Sequence, residues 1–106
     1  MSTTPEGKLS DKCRKWLSER QIFHYRNNTQ GIPLHGRNQG RFRPSLAPGA
    51  PDIVAILSGK YIGIELKVPG GKQSDYQKDF QQSIERAGGK YILACSLGQL
   101  TGEILR

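Results

Sequence analysis

The chain has few acids, few cysteines and no long apolar run. Only nine of its 106 residues are acidic and two are cysteine. No stretch approaches the roughly 20 apolar residues that a membrane-spanning helix needs, and polar residues follow Met1 where a signal peptide would be apolar. Cys13 and Cys95 have no C-x-x-C pair or ligand-spaced histidine beside them, so we expect two structural thiols. These absences predict a cytoplasmic protein without a membrane partner.

Two strongly apolar strand patterns flank a two-residue turn, Ser58-Gly59. Counting back along both strands from that turn places Asp52 opposite Glu65, with Lys67 on the same face. Opposed Cβ atoms lie roughly 5 Å apart, where two carboxylates repel by about 3 kcal/mol at an effective dielectric near 20. Unless one carboxyl is protonated, the pair requires a cation, and oxygen ligands suit Mg²⁺. The hairpin therefore predicts a metal site for phosphodiester chemistry.

The segment from Arg20 to Pro51 contains no acidic residue. The net charge is +7, and the arginines of this segment supply five of those charges. Arginine binds phosphate in a bidentate manner. A solvated basic surface loop is one interpretation, but beside a metal-binding hairpin we favour a track for a polyanion. The five arginines are Arg20, Arg26, Arg37, Arg41 and Arg43.

Residue periodicity predicts one α/β domain over 1–106 with the order α-β-β-β-α-β. The strand, helix and strand after Ser58-Gly59 form a β-α-β unit, which requires a parallel strand pair. With the antiparallel hairpin, this gives a mixed β-sheet flanked by helices. Residues 28–50 form a long basic loop, with a brief extended piece at 41–43, and residues 97–105 fit a helix or a strand. The elements are a helix from Pro5, a strand over 21–27, hairpin strands over 53–57 and 60–67, a helix over 74–87 and a strand over 90–95.

Two residues at helix starts are candidates for the site. Glu6 follows the Thr4-Pro5 helix start and lies in line with Cys13 and Leu17, so we expect it to point along the buried stripe. Either the helix dipole or the hairpin's metal explains an inward acid there. Gln77 completes a capping box with Ser74, and Tyr76, Phe80, Ile84 and Ala87 form the apolar face of that helix.

These residues resemble the motifs of the PD-(D/E)XK nuclease superfamily. Pro51-Asp52 is followed, after twelve residues, by Glu65-Leu66-Lys67. Within the superfamily the chain resembles the VRR-NUC family, because three further runs match. These are Pro5-Glu6-Gly7, the run Ile64 to Pro69, and Ser74-x-x-Gln77 with Gly88 closing the helix. The resemblance implies a restriction-endonuclease-like core.

The resemblance also implies a role for each site residue. The family holds Mg²⁺ or Mn²⁺, with no small-molecule cofactor, and here Lys67 would activate the attacking water and stabilise charge on the phosphate. Gln77 would arrange the catalytic lysine or the scissile phosphate. The implied metal ligands are Asp52, Glu65, the main-chain carbonyl of Leu66, and Glu6.

Small stand-alone VRR-NUC proteins of phage and bacteria act as homodimeric Holliday-junction resolvases. The resemblance therefore implies a structure-specific DNA endonuclease in a bacterial or phage-infected cell. A two-fold dimer offers two sites to a two-fold-symmetric four-way junction. A flap endonuclease, a nickase, a non-cutting DNA-binding module and a small protein-interaction adaptor are the alternatives. The candidate DNA-contacting residues are Arg26, Arg37, Arg41, Arg43 and Lys72.

Overall fold

In a computed structural model, the chain is described over residues 4–27 and 47–106, with the backbone of two short strands at 32–33 and 42–43. Each of the three helices begins at a hydroxyl side chain that caps a backbone N–H, namely Thr4, Ser74 and Ser96. The helices are α1 (Pro5–Glu19), α2 (Asp75–Arg86) and α3 (Leu97–Ile104). The segment over 97–105, which fitted a helix or a strand, is thus a helix.

The strands form one four-stranded sheet and one two-stranded sheet. They are β1 (Phe23–Arg26), β2 (Ile32–Pro33), β3 (Phe42–Arg43), β4 (Ile53–Leu57), β5 (Lys60–Leu66) and β6 (Lys90–Ala94). The larger sheet has the order β1-β4-β5-β6, with β5 and β6 parallel and the other pairs antiparallel. β2 pairs with β3, which confirms an extended piece at 42–43. The predicted mixed sheet and element order are confirmed.

The hairpin between β4 and β5 turns where the sequence predicted. Ser58 and Gly59 both have positive φ, at 53° and 77°, as a two-residue turn that matches the strand twist requires. Leu57 therefore pairs with Lys60, and Ile53 with Ile64. Because β4 and β5 are the two central strands, this turn fixes the register of the sheet's middle.

The two faces of the sheet are covered to different extents. α1 and α3 cover one face, and most of the core lies between them and the sheet. α2 covers the other face over β5 and β6. The main core cluster contains Cys13, Leu17, Ile53, Ala55, Ile62, Ile64, Leu66, Ile92, Ala94, Leu100 and Ile104.

Two expectations about α2 and the thiols have different outcomes. The predicted apolar face of α2 is wrong in extent, because Ile84 is buried whereas Tyr76 and Ala87 are exposed. Cys13 and Cys95 are both free, as expected.

Within the described residues, every helix is too short or too polar to cross a membrane.

Candidate active site

Asp52 and Glu65 meet where the central hairpin opens. The register that pairs Ile53 with Ile64 places Asp52 opposite Glu65 one position further on. The backbone N–H of Leu66 donates to Asp52 Oδ2 at 2.9 Å, which holds this carboxylate against β5. The predicted opposition of the two acids is therefore present in the fold.

Glu65 is an acid in an environment that disfavours its charge. Only 3% of the residue is exposed. Burial, followed by the hydrogen bond and the charge of Asp52, raises the pKa of Glu65 to about 8, although the Lys67 charge acts in the opposite direction. Glu65 Oε2 is buried without a hydrogen-bond partner among the described residues. An ionised Glu65 thus leaves one oxygen unsatisfied, and either a proton shared with Asp52 or a cation would satisfy it.

Gln77 orients the other oxygen of Glu65. Its Nε2 donates to Glu65 Oε1 at 2.5 Å, while its own Oε1 accepts from the N–H of Ser74 at 2.8 Å. The Ser74 hydroxyl in turn accepts from the N–H of Gln77, so the predicted capping box is complete. One amide side chain therefore both caps α2 and contacts Glu65, whereas its role toward Lys67 or the scissile phosphate stays a prediction.

Two glycines allow α2 to approach the acid pair closely. A Cβ on Gly49, which has φ +85°, would lie 2.3 Å from the carbonyl oxygen of Tyr76 in the first turn of α2. A Cβ on Gly63 would lie 2.9 Å from Pro51 and 3.0 Å from Ile84. The absence of a side chain at Gly63 thus allows Ile84 of α2 to approach the sheet closely. The chain before Asp52 and the start of α2 pack backbone to backbone, which brings Gln77 to Glu65.

Lys67 follows directly after β5 and shares the face of Glu65 by strand alternation. Its N–H donates to the carbonyl of Ala94 at 3.0 Å, which ties it to β6. The side chain is half-buried, and its charge lowers the pKa of Glu65. Gly71 approaches the stem, because a Cβ there would lie 3.5 Å from Lys67 Cβ and Cδ. The stem of Lys67 therefore lies beside the connection to α2, and its charge is close enough to Glu65 to act on that carboxyl.

Glu6 does not lie where the helical stripe suggested. The residue is exposed in the first turn of α1, so the expectation that it points along the buried stripe is wrong. α1 buries Cys13 and Leu17 further along the helix. Within 4–27 and 47–106, His, Cys, Asp and Glu side chains form no group of three or more that could hold a metal. The structure thus brings together Asp52, Glu65, Lys67 and Gln77, without Glu6.

The basic candidates are only partly described. Arg26, at the end of β1, is exposed, and so is Lys72 in the connection before α2. Arg37 and Arg41 lie outside the described residues, and only the backbone of Arg43 is described, in β3. Their contacts with DNA, and the carbonyl of Leu66 as a metal ligand, stay predictions.

Tyr91 and Gln73 also border the acid pair, and sequence reasoning assigned neither to the site. Tyr91 on β6 pairs with Gly63 and is 8% exposed. Burial raises the pKa of Tyr91 to about 12, opposed by a hydrogen bond from Gln73 and assisted by the charges of Glu65 and Asp52. Gln73 Nε2 donates to the Tyr91 hydroxyl at 3.2 Å. Strand alternation could have identified Tyr91. Gly63 and Glu65 share a face of the sheet, and the parallel pairing of β5 with β6 places Tyr91 beside Gly63 on that face.

Comparisons with known proteins place this arrangement in a known fold. The sequence matches no family model, and no curated protein matches it. Among solved structures, a chain described as a VRR_NUC domain superposes with a TM-score of 0.69 and 19% sequence identity, over 98% of each chain. At this identity the likeness is one of fold. The chain has the fold of a VRR-NUC domain, as the motifs predicted.

Proposed function

We propose that the protein is a metal-dependent DNA endonuclease of the VRR-NUC type, and that Asp52, Glu65 and Lys67 form its catalytic centre. The observation that carries this proposal is the acid pair, in which Glu65 is buried beside the half-buried Asp52. Glu65 Oε2 has no donor among the described residues, and the pKa of this carboxyl is raised to about 8. A buried, uncompensated acid costs stability, so an ion that binds both carboxylates accounts for an otherwise unfavourable arrangement. The VRR_NUC fold supports the same conclusion.

The donor set fits Mg²⁺ or Mn²⁺. Asp52 and Glu65 would hold the ion, with the carbonyl of Leu66 as a further ligand, and water or phosphate oxygens would complete its coordination. A bound divalent ion lowers the pKa of water and neutralises charge on a phosphate. Glu6 is exposed and apart from the pair; its role as a further ligand, directly or through water, stays a proposal.

The remaining residues position the groups that react. Gln77 holds Glu65 Oε1, and Oε2, which has no hydrogen-bond partner among the described residues, would be available to the ion. The N–H of Leu66 fixes Asp52 Oδ2 in the same way. Lys67 places a positive charge beside the pair, where its ammonium would orient the attacking water and stabilise the negative charge that develops on the phosphate.

The proposed substrate is branched DNA, cut at four-way junctions by a homodimer. The support is geometric: two sites related by a two-fold axis would make paired nicks in a junction with the same symmetry. Flap cleavage or nicking by the same site is the enzymatic alternative. A non-cutting DNA-binding module is less favourable, because it gains nothing from a buried Glu65 opposite a second acid.

A cleavage assay with substitutions at the site tests this function. The protein is incubated with Mg²⁺ and matched four-way, flap, single-stranded and duplex DNA. Glu65→Gln and Lys67→Met should each lower the cleavage rate by about a hundredfold or more, because the first removes a carboxylate that would hold the ion and the second removes the charge that would stabilise the reacting phosphate. Asp79→Asn, on the exposed side of α2, is the matched control and should cut like the wild type. Equal cutting by all four proteins would overturn the site assignment.

A further inference from the structure

The sheet face that carries the acid pair also carries two exposed aromatic side chains on β1. Phe23 is 66% exposed and Tyr25 is 49% exposed, although both are strand residues. Ile56, which pairs with Phe23 across the sheet, is 37% exposed. Large apolar side chains exposed together on one face indicate an interaction site.

The row formed by Phe23 and Tyr25 leads directly to the acid pair. The N–H of Asn27 donates to the carbonyl of Asp52 at 2.8 Å, so Asn27 lies opposite Asp52. Strand alternation then places Phe23, Tyr25 and Asn27 on one face. From a rise of about 3.3 Å per residue and a strand spacing of about 4.8 Å, the Cα atoms of Tyr25 and Asp52 lie roughly 8 Å apart. A DNA strand with a phosphate at the acid pair would therefore have Tyr25 and Phe23 within reach of its neighbouring bases.

The rings of Phe23 and Tyr25 are arranged so that each can stack on a separate planar group. Their centroids are 6.3 Å apart and their planes are inclined by 60°, so neither ring covers the other. About half or more of each side chain is open to solvent. Nucleic-acid-binding sheets use such aromatic side chains as platforms on which unpaired bases stack.

Charge and area favour a nucleic acid over a second copy of this chain. β1 lies within the segment that contains five arginines and no acid, and Arg26 at its end is exposed. Together Phe23, Tyr25 and Ile56 expose on the order of 300 Å², whereas a stable dimer buries about 800 Å² on each partner.

We propose that Phe23 and Tyr25 stack on unpaired bases of the strand that is cut at Asp52 and Glu65. This inference rests on the proposed function and adds a substrate class to it. The preferred DNA has unpaired bases beside the cleaved phosphate, as at an opened branch point.

Binding without a divalent ion tests the inference separately from cleavage. Fluorescence anisotropy compares a single-stranded oligonucleotide with an abasic oligonucleotide of equal length and charge. The wild type should prefer the base-bearing strand. Phe23→Leu with Tyr25→Leu should lose that preference, with binding of the base-bearing strand weakened about fivefold to a hundredfold for each stacked base. Phe23→Tyr with Tyr25→Phe keeps both rings and should behave like the wild type.

Three results would overturn the inference. The first is equal binding of the two oligonucleotides by the wild type, and the second is an unchanged preference after both rings are removed. The third is a change of oligomeric state on light scattering of the leucine variant, which would make the row an interface between copies. Thermal melts verify folding, and both substituted side chains are exposed, so the melting temperature should change little. If the wild type prefers the base-bearing strand but does not cut DNA when Mg²⁺ is added, that result would count against the proposed function alone.

Discussion

Glu65 is the residue at which stability and function are in conflict. A glutamine at this position would keep the shape and the hydrogen bond with Gln77 without a buried charge. The chain instead has an acid whose pKa is raised to about 8, first by burial and then by Asp52. An ionisable group in such a position indicates a binding or catalytic role.

The raised pKa predicts how stability depends on pH. The ordinary pKa is 4.5 and the folded value is about 8, so between these values the folded state binds more protons than the unfolded state. Without a divalent ion, the free energy of unfolding should therefore fall as pH rises through this window, by at most about 1.4 kcal/mol per pH unit from this group.

Denaturant titrations of the wild type and of Glu65→Gln at pH 5, 6.5 and 8 measure this effect. The difference in stability between the two proteins should move in favour of glutamine as pH rises. A constant difference across the three pH values would show that Glu65 ionises normally.

Sequence and structure agree at some residues of the site and differ at others for a physical reason. The opposition of Asp52 and Glu65 could be predicted because a two-residue turn fixes every pair along a hairpin. The direction of Glu6 could not, because helical periodicity gives the side of a helix without showing whether anything packs there. Tyr91 was missed because its contact depends on the register between β5 and β6, which a β-α-β pattern does not give.

At the level of elements, Gly49 allows the first turn of α2 to pack closely against the chain before β4. Gly49 lies so close to the backbone of Tyr76 that any side chain would collide with it. This contact brings Gln77 to Glu65, so the loop before β4 contributes to the site without a side chain. A capping box was readable from the sequence, whereas its contact with β5 required the packing of α2 on the sheet.

Gly49→Ala should therefore both destabilise the protein and impair the site. The substitution combines a positive φ with a backbone collision, and we expect a loss of about 3 kcal/mol or more in unfolding free energy. Gly88→Ala is the matched control. Gly88 also has a positive φ, at +90°, but a Cβ there would meet open space. It should cost about 1 kcal/mol, the conformational part alone. Equal losses for the two variants, measured by denaturant titration, would show that the contact with α2 contributes nothing.

At the scale of the whole molecule, one face of the sheet provides stability and the other provides the site. The packing of α1 and α3 buries the main core on one side. Among the described residues, α2 covers the opposite side over β5 and β6, and Phe23 and Tyr25 on β1 are exposed on that side. The sequence predicted the fold class, a mixed sheet flanked by helices, because the central strands are apolar on both sides; it did not predict that the two faces would differ. The exposed row on β1 could not be predicted, because its exposure depends on where α2 stops.

Uptake of a divalent ion by the acid pair tests the central claim most directly. Isothermal calorimetry with Mn²⁺ or Mg²⁺ near pH 7 should show binding to the wild type. It should also show proton release, because Glu65 loses its proton on binding and the measured heat then depends on the buffer. Asp52→Asn and Glu65→Gln should abolish this uptake, and Asp79→Asn should retain it. No uptake by the wild type, even with DNA present, or uptake unchanged in Glu65→Gln, would contradict a metal centre between β4 and β5.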